Sequence, residues 1–266
     1  MQRIQVAGTT LAVEKRGQGL PIVFVHGFPL DHSMWVAQIG AFSTKYLVLV
    51  PDLRGFGESD VTSGTVTMER YADDIAELAE TLGLTSDGLV VCGLSMGGYI
   101  AFQFLRKYAG LLRGLVLCNT RATADPDEVR ENRYRVATTV RQDGPNGLIQ
   151  QMLPKLLAEQ TRRNQPDCVD RLLTMVRRAA PEGIAAASLG MAERPDSSAL
   201  LATVPCPPLV IAGEHDQLSP PAEMQAMASA IRGVRFEIIP GAGHMTPMEN
   251  PDQFNAVLGA FLQSLP

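Results

Sequence analysis

The sequence predicts an α/β fold in which a mostly parallel central sheet, flanked by helices, is interrupted by a helical insertion. Three observations carry that expectation. Short runs that are apolar throughout alternate with segments of helical period, as strands covered on both faces require. The alternation stops at Arg121, and only helical periodicity follows as far as Pro195. After Pro205-Cys206-Pro207 it resumes. The expected organisation is a core of residues 1–120 and 196–266 carrying a helical cap, or lid, over residues 121–195.

Taken in order, Arg3–Val6 and Thr10–Lys15 predict an opening hairpin around Gly8. Pro21-Ile22-Val23-Phe24-Val25 reads as a buried strand that meets a loop at His26-Gly27-Phe28-Pro29. Tyr46–Val50 repeats the pattern before Pro51–Gly57. Met68–Leu82 sets Tyr71, Ile75, Leu78 and Leu82 on one helical face and Asp74, Glu77 and Glu80 on the other, and Gly83 stops it. Strand Leu89–Cys92, helix Tyr99–Tyr108 and strand Leu115–Cys118 follow. Helices are expected in the insertion at Glu128–Arg141, Gly147–Leu157, Cys168–Arg178 and Gly183–Glu193. Strand Pro208–Ala212, helix Ala222–Ile231, strand Val234–Ile239 and helix Asp252–Leu262 close the chain.

Composition narrows the function classes. A chain of 266 residues with 45% hydrophobic and 19% charged residues buries a substantial core and is not extensively disordered. Its formal charge of −5 gives no electrostatic ground for binding nucleic acid or an anionic membrane. The first residues lack the apolar core of a signal peptide, and no stretch approaches the ~18 apolar residues of a membrane span. A cytoplasmic protein is expected. Cys92, Cys118, Cys168 and Cys206 are too scattered for a zinc site or a disulfide framework, and Cys92 and Cys118 read as buried strand residues. Four histidines without paired ligand spacing predict no metal, and no cofactor is expected. Charge is uneven: residues 121–178 carry ten arginines and Lys155 against eight acidic residues, a net +3 that leaves −8 elsewhere. Solvated helix faces explain that excess, and a cationic lid that orients an anionic substrate is the alternative.

The chemistry centres on Gly93-Leu94-Ser95-Met96-Gly97, which follows an apolar run and precedes a helix. A strand–turn–helix junction this tight admits only small residues two positions before and after the serine, and it pushes the hydroxyl into the open. The duller alternative is a small residue at a strand–helix junction. A serine nucleophile needs a base and a third group to orient that base. Two later loops follow apolar strands, on the side where ligands bind in open parallel sheets. One holds Glu214, His215 and Asp216; the other holds His244, which alone of the four histidines follows the final core strand. Asp125, after the strand ending at Cys118, is a further carboxylate, while His215 is the wrong residue type to fix an imidazole tautomer. His26 and His32 precede the elbow, and His26 reads as shaping its loop through hydrogen bonds. Asp52, Arg54 and Glu58 read as a structural loop with Arg54 paired locally, against the alternative of a second carboxylate site. Trp35 reads as core or pocket wall. Met152, Leu153, Leu156 and Leu157 are either the underside of a lid facing an acyl pocket or an ordinary packing face.

Five segments in sequence, HGFP at His26–Pro29, DLRGFGES at Asp52–Ser59, GLSMGG at Gly93–Gly98, GEHDQLSP at Gly213–Pro220 and GAGHMTPMENP at Gly241–Pro251, carry a resemblance. Over nearly its full length the chain resembles the α/β-hydrolase fold superfamily, and within it the lid-bearing serine esterases and 3-oxoadipate enol-lactonase-like enzymes. The resemblance implies Ser95 as nucleophile, His244 as general base and Asp216 as the group that orients His244. It also implies an oxyanion hole formed by the backbone N–H groups of Phe28 and Met96. Serine at the elbow sets the chain apart from haloalkane dehalogenases, which use aspartate, and from dienelactone hydrolases, which use cysteine. Gly93–Gly98 lacks the lysine of a phosphate-binding loop. The implied function is hydrolysis of small carboxylic esters through an acyl-enzyme intermediate. A lactonase of the enol-lactonase type and a cofactor-free perhydrolase are alternatives on the same residues. A hydrolase-fold receptor for small molecules, with little turnover, is the alternative from another class.

Overall fold

Strands β1 (Gln2–Val6) and β2 (Thr9–Arg16) form the antiparallel hairpin, in a computed structural model that describes every residue except Ala7 and Asp87. β3 (Pro21–Val25) is buried at every position. A 3-10 turn at His32–Trp35 and helix α1 (Val36–Phe42) then lead to β4 (Leu47–Pro51). Sequence periodicity did not predict that turn or α1. Asp31 caps the turn by accepting from the Ser33 amide, and seven residues are too few for a helical period to show.

Helix α2 (Met68–Thr81) starts at Thr67, whose side chain accepts from the Arg70 amide. Its apolar face is the expected one for Tyr71, Ile75 and Leu78, but Asp74 is fully buried rather than on a solvated face. The cause is Arg54, which donates from Nε to Asp74 Oδ2 at 2.9 Å and from Nη2 to Oδ1 at 2.6 Å. Arg54 therefore reaches across to α2 as well as pairing locally, where its Nη1 donates to Thr62 Oγ1 at 3.3 Å.

β5 (Leu89–Leu94) runs into α3 (Met96–Tyr108), which starts three residues before the expected Tyr99 because Met96, Gly97 and Gly98 form its first turn. β6 (Leu112–Cys118) follows. Five helices come next: α4 (Asp127–Asp143), α5 (Asn146–Leu156), α6 (Glu159–Asn164), α7 (Pro166–Arg178) and α8 (Pro181–Ala192). Of these, only the six-residue α6 was not expected. The chain returns through β7 (Pro208–Gly213), α9 (Pro221–Ser229), β8 (Arg235–Ile239), α10 (Thr246–Glu249) and α11 (Pro251–Gln263).

The eight strands lie in the order β1-β2-β4-β3-β5-β6-β7-β8, parallel from β4 to β8, while β2 runs antiparallel to both of its neighbours, β1 and β4. Successive residues of each strand face opposite ways, so two cores form. Val23, Leu49, Val91 and Leu115 pack with Tyr71, Ile75, Ile100 and Phe104 from α2 and α3. On the other face Ile22, Phe24, Val90 and Val116 pack with Trp35, Phe42, Phe254 and Leu258. Each large apolar side chain buried this way contributes roughly 1.5–3 kcal/mol. Trp35 is core, 5.0 Å from the Phe24 ring centroid. Cys92 and Cys118 are buried free thiols on adjacent strands with Sγ atoms 4.0 Å apart.

Register positions the site. Val25 pairs with Gly93, Leu94 with Cys118, Cys118 with Ile211, and Gly213 with Ile239. The loops that follow β3, β5, β6, β7 and β8 therefore leave from one edge of the sheet. No described helix is long and apolar enough to cross a membrane.

Candidate active site

Ser95 sits between β5 and α3 with φ 57° and ψ −112°, a left-handed conformation that costs a non-glycine residue about 1–3 kcal/mol. Its surroundings enforce it. The Ser95 amide donates to Cys118 O at 2.9 Å, and its carbonyl accepts from Gly98 N at 2.9 Å, Tyr99 N at 3.2 Å and Thr120 Oγ1 at 2.8 Å. The flanking glycines are sterically required. A Cβ on Gly93 would lie 2.2 Å from Gly97 O, and one on Gly97 would lie 2.2 Å from Val25 O. The turn presses directly on the neighbouring strand, and Ser95 heads α3, where the positive end of the helix dipole lies.

His244 and Asp216 meet. The imidazole Nδ1 is 2.8 Å from Asp216 Oδ2, and the two residues are only 3% and 4% exposed. The carboxylate also accepts from Asn119 Nδ2 at 2.9 Å, Ser219 Oγ at 2.8 Å, and the Leu218 and Ser219 amides at 2.8 and 3.1 Å. Burial on its own would push the Asp216 carboxyl up. The His244 charge and the hydrogen bonds from His244, Asn119 and Ser219 outweigh it and bring the carboxyl to about 2. An anion aimed at Nδ1 holds the proton there and leaves Nε2 as the basic nitrogen.

The rival carboxylates have other partners than His244. Glu214 is exposed and accepts from the Gly241 amide. Asp125 is buried between Arg194 at 2.7 Å and Arg133 at 3.2 Å. His215 is exposed beside Glu214.

The loop bearing Phe28 is held by His26, which is fully buried. Its Nδ1–H donates to Gly27 O at 2.9 Å and its Nε2 accepts from Leu53 N at 3.0 Å. Burial lowers its pKa, in keeping with a neutral imidazole that donates at one nitrogen and accepts at the other. Asp52 accepts from His32 N, His32 Nδ1 and Glu58 N at 2.8, 2.7 and 2.8 Å; it is a loop organiser, not a second carboxylate centre. The ligand atoms of Asp31, His32 and Asp52 lie within 4.8 Å of one another, but these atoms are engaged in hydrogen bonds with one another and with Ser33. Among the described residues, no protein acceptor takes the Phe28 or Met96 amide.

Ser95, His244 and Phe28 line one cavity of about 550 Å³ whose opposite wall comes from α4 and α5. All four apolar residues read together in sequence pack with the core, and two of them, Met152 and Leu156, also line the cavity. Among the described residues no hydrogen bond joins Ser95 Oγ to His244; the shared cavity relates them. Sequence reasoning missed Asn119, Ser219 and Glu249. Ser219 and Glu249 lie in motifs already quoted, and Asn119 directly follows β6 with φ 46°, a conformation asparagine tolerates.

A model of the alpha/beta hydrolase family matches residues 22–257. The chain is similar to 3-oxoadipate enol-lactonase 1 of Acinetobacter baylyi, with 26% identity over 260 residues, covering 97% of this chain and 95% of the relative. Among solved structures it is similar to a thermophilic esterase from Thermogutta terrifontis described with malate bound, with 49% identity and a TM-score of 0.97, covering 99% of this chain and 98% of the other. It is also similar to the enol-lactonase from Burkholderia xenovorans, with 28% identity and a TM-score of 0.92, covering 99% of this chain and 100% of the other.

Proposed function

The chain belongs to the alpha/beta hydrolase family, as a carboxylic ester hydrolase, and on that premise we propose a serine hydrolase that cleaves small esters through an acyl-enzyme. One observation carries the reading: a serine held at positive φ opens into the same cavity as an imidazole whose far nitrogen is bonded to a buried carboxylate. In this reading Ser95 Oγ attacks the ester carbonyl while His244 Nε2 takes its proton. The Phe28 and Met96 amides receive the oxyanion; losing one such donor typically costs on the order of 10²–10³ in turnover. His244 then protonates the leaving alcohol, and later takes a proton from the water that frees Ser95. Asp216 stabilises the imidazolium and fixes its tautomer throughout. Residues 121–195 are proposed as a cap over the core, because α4 and α5 supply one cavity wall. The proposal carries over a small-molecule ester or lactone as substrate and the cytoplasm as setting. Its test is hydrolysis of p-nitrophenyl acetate and butyrate by wild type and Ser95→Ala. Activity confined to wild type supports it; equal rates sink it.

A second reading, a lactonase for carboxylated substrates, is favoured by the cavity's cations. Arg121, Arg133, Arg135 and Lys155 line it against Asp125 and Glu128. Arg133 is paired with Asp125, and Arg121 with Glu223 at 3.5 Å. Arg135 and Lys155 have no acidic partner among the described residues. A pH-stat comparison of carboxylated lactones with neutral esters decides: faster turnover of neutral esters removes the lactonase reading.

A further inference from the structure

We infer that Glu249 is a positioning residue that latches the loop carrying His244 to the α5–α6 junction, making that part of the cap a fixed piece of the catalytic scaffold. The inference rests on the reading of His244 as the base.

Glu249 ends α10, is 5% exposed, and spends both carboxylate oxygens on four donors. Oε1 accepts from the Gly243 amide at 2.9 Å and the Met245 amide at 3.0 Å, the two residues flanking His244. Oε2 accepts from the Ala158 amide at 2.8 Å and Thr161 Oγ1 at 2.7 Å, both beyond the end of α5. One side chain thus joins the imidazole loop to the helical segment without touching the imidazole.

The backbone follows the same route. The His244 and Met245 amides both donate to Leu156 O, at 3.0 and 3.2 Å. Gly243 is packed so closely on the helical segment that a Cβ there would lie 2.6 Å from Ala158 N. Gln160 Nε2 donates to Gly241 O at 2.6 Å, and Gln165 Nε2 to Glu249 O at 3.2 Å. On its other side the loop is tied to the core, where His215 N donates to Ala242 O at 2.8 Å and His244 meets Asp216. The imidazole is therefore clamped between core and cap.

A carboxylate here is an expensive choice. Burial raises its pKa, and no cation contacts it among the described residues. Its distinction over an amide is two acceptor oxygens for four converging donors. Glutamine has one acceptor, so Glu249→Gln keeps the Gly243 and Met245 bonds only by turning its NH2 toward Ala158 N–H and Thr161. The Thr161 hydroxyl can rotate to accept; the Ala158 amide cannot, and loses its partner.

The experiment compares full-length wild type, Glu249→Gln, Thr161→Val and Ser95→Ala. It measures kcat per active site titrated with a phosphonate, KM, and the NMR resonance of the proton between His244 Nδ1 and Asp216. Misplacing a catalytic group by an ångström costs on the order of 10²-fold; the partial loss of support in Glu249→Gln is expected to cost about tenfold in kcat, and Thr161→Val a few-fold. KM stays within about twofold, and the proton resonance shifts or broadens in both variants. If Glu249→Gln does not fold, Thr161→Val decides. An unchanged resonance in a folded variant overturns the inference whatever the rate does, and so does an unchanged kcat per titrated site with only a lowered Tm. Because the resonance is read without substrate and also in Ser95→Ala, failure of the latch and failure of the nucleophile assignment are told apart.

Discussion

Asn119, at the end of β6, donates from Nδ2 to Asp216 Oδ2 at 2.9 Å, and accepts at Oδ1 from Thr246 Oγ1 at 2.8 Å. The loop after one strand thus holds the carboxylate delivered by the next, and the same side chain braces the segment that follows His244. Asn119→Gly keeps the left-handed backbone and removes the brace. The expected result is a fall in kcat/KM of about tenfold, with a stability loss of roughly 1–3 kcal/mol from the buried partners left unmet. Urea denaturation and steady-state kinetics check both; wild-type values in each would contradict the role.

Acid sensitivity follows from Asp216. Its carboxyl is lowered from 3.8 to about 2 in the fold, so it binds protons less readily folded than unfolded. The resulting stability is fully present above the unfolded value and is lost as pH falls through the folded one. A shift of this size is worth about 2 kcal/mol. Denaturant titrations of wild type and Asp216→Asn, from neutral pH down to about pH 2, are expected to converge as the pH falls. A constant gap would contradict the linkage.

Arg54 and Asp74 test the reading of the Asp52–Glu58 region as scaffold. Both side chains are buried, and Arg70 also reaches Asp74 at 2.9 Å. Arg54→Met leaves a buried carboxylate short of its principal partner, at an expected cost of about 3 kcal/mol in stability with KM little changed. A large rise in KM without destabilisation would place Arg54 at the substrate instead.

The elbow's tightness makes a steric prediction. Gly97→Ala puts a methyl against Val25 O and forces β3 and α3 apart. Activity is expected to fall on the order of 10²-fold through misplacement of Ser95 and the Met96 amide. Near-normal turnover would show that the junction is looser than its packing implies.

Much of this arrangement was legible before any coordinates. The parallel strands announce themselves because residues such as Val23 and Phe24 are buried on opposite faces, leaving no polar alternation. Ser95, Asp216 and His244 are conspicuous because each stands in a loop directly after an apolar strand. Other features depend on distant partners and leave no local trace. Asp74 looks like part of a solvated acidic face until Arg54 reaches it. Glu249 meets Ala158 across 91 residues, and Asn119 meets Asp216 across 97. The turn before α1 depends on Trp35 packing against Phe24 and Phe254, a tertiary contact that periodicity does not register.

The central claim concerns which oxygen reacts and what activates it. The most direct test labels the full-length protein with a fluorophosphonate and maps the adduct by mass spectrometry, in wild type, Ser95→Ala and His244→Ala. A single adduct on Ser95, absent from Ser95→Ala and formed on the order of 10³-fold more slowly in His244→Ala, is the expected result. An adduct on another residue, or labelling at the wild-type rate without the imidazole, would contradict it.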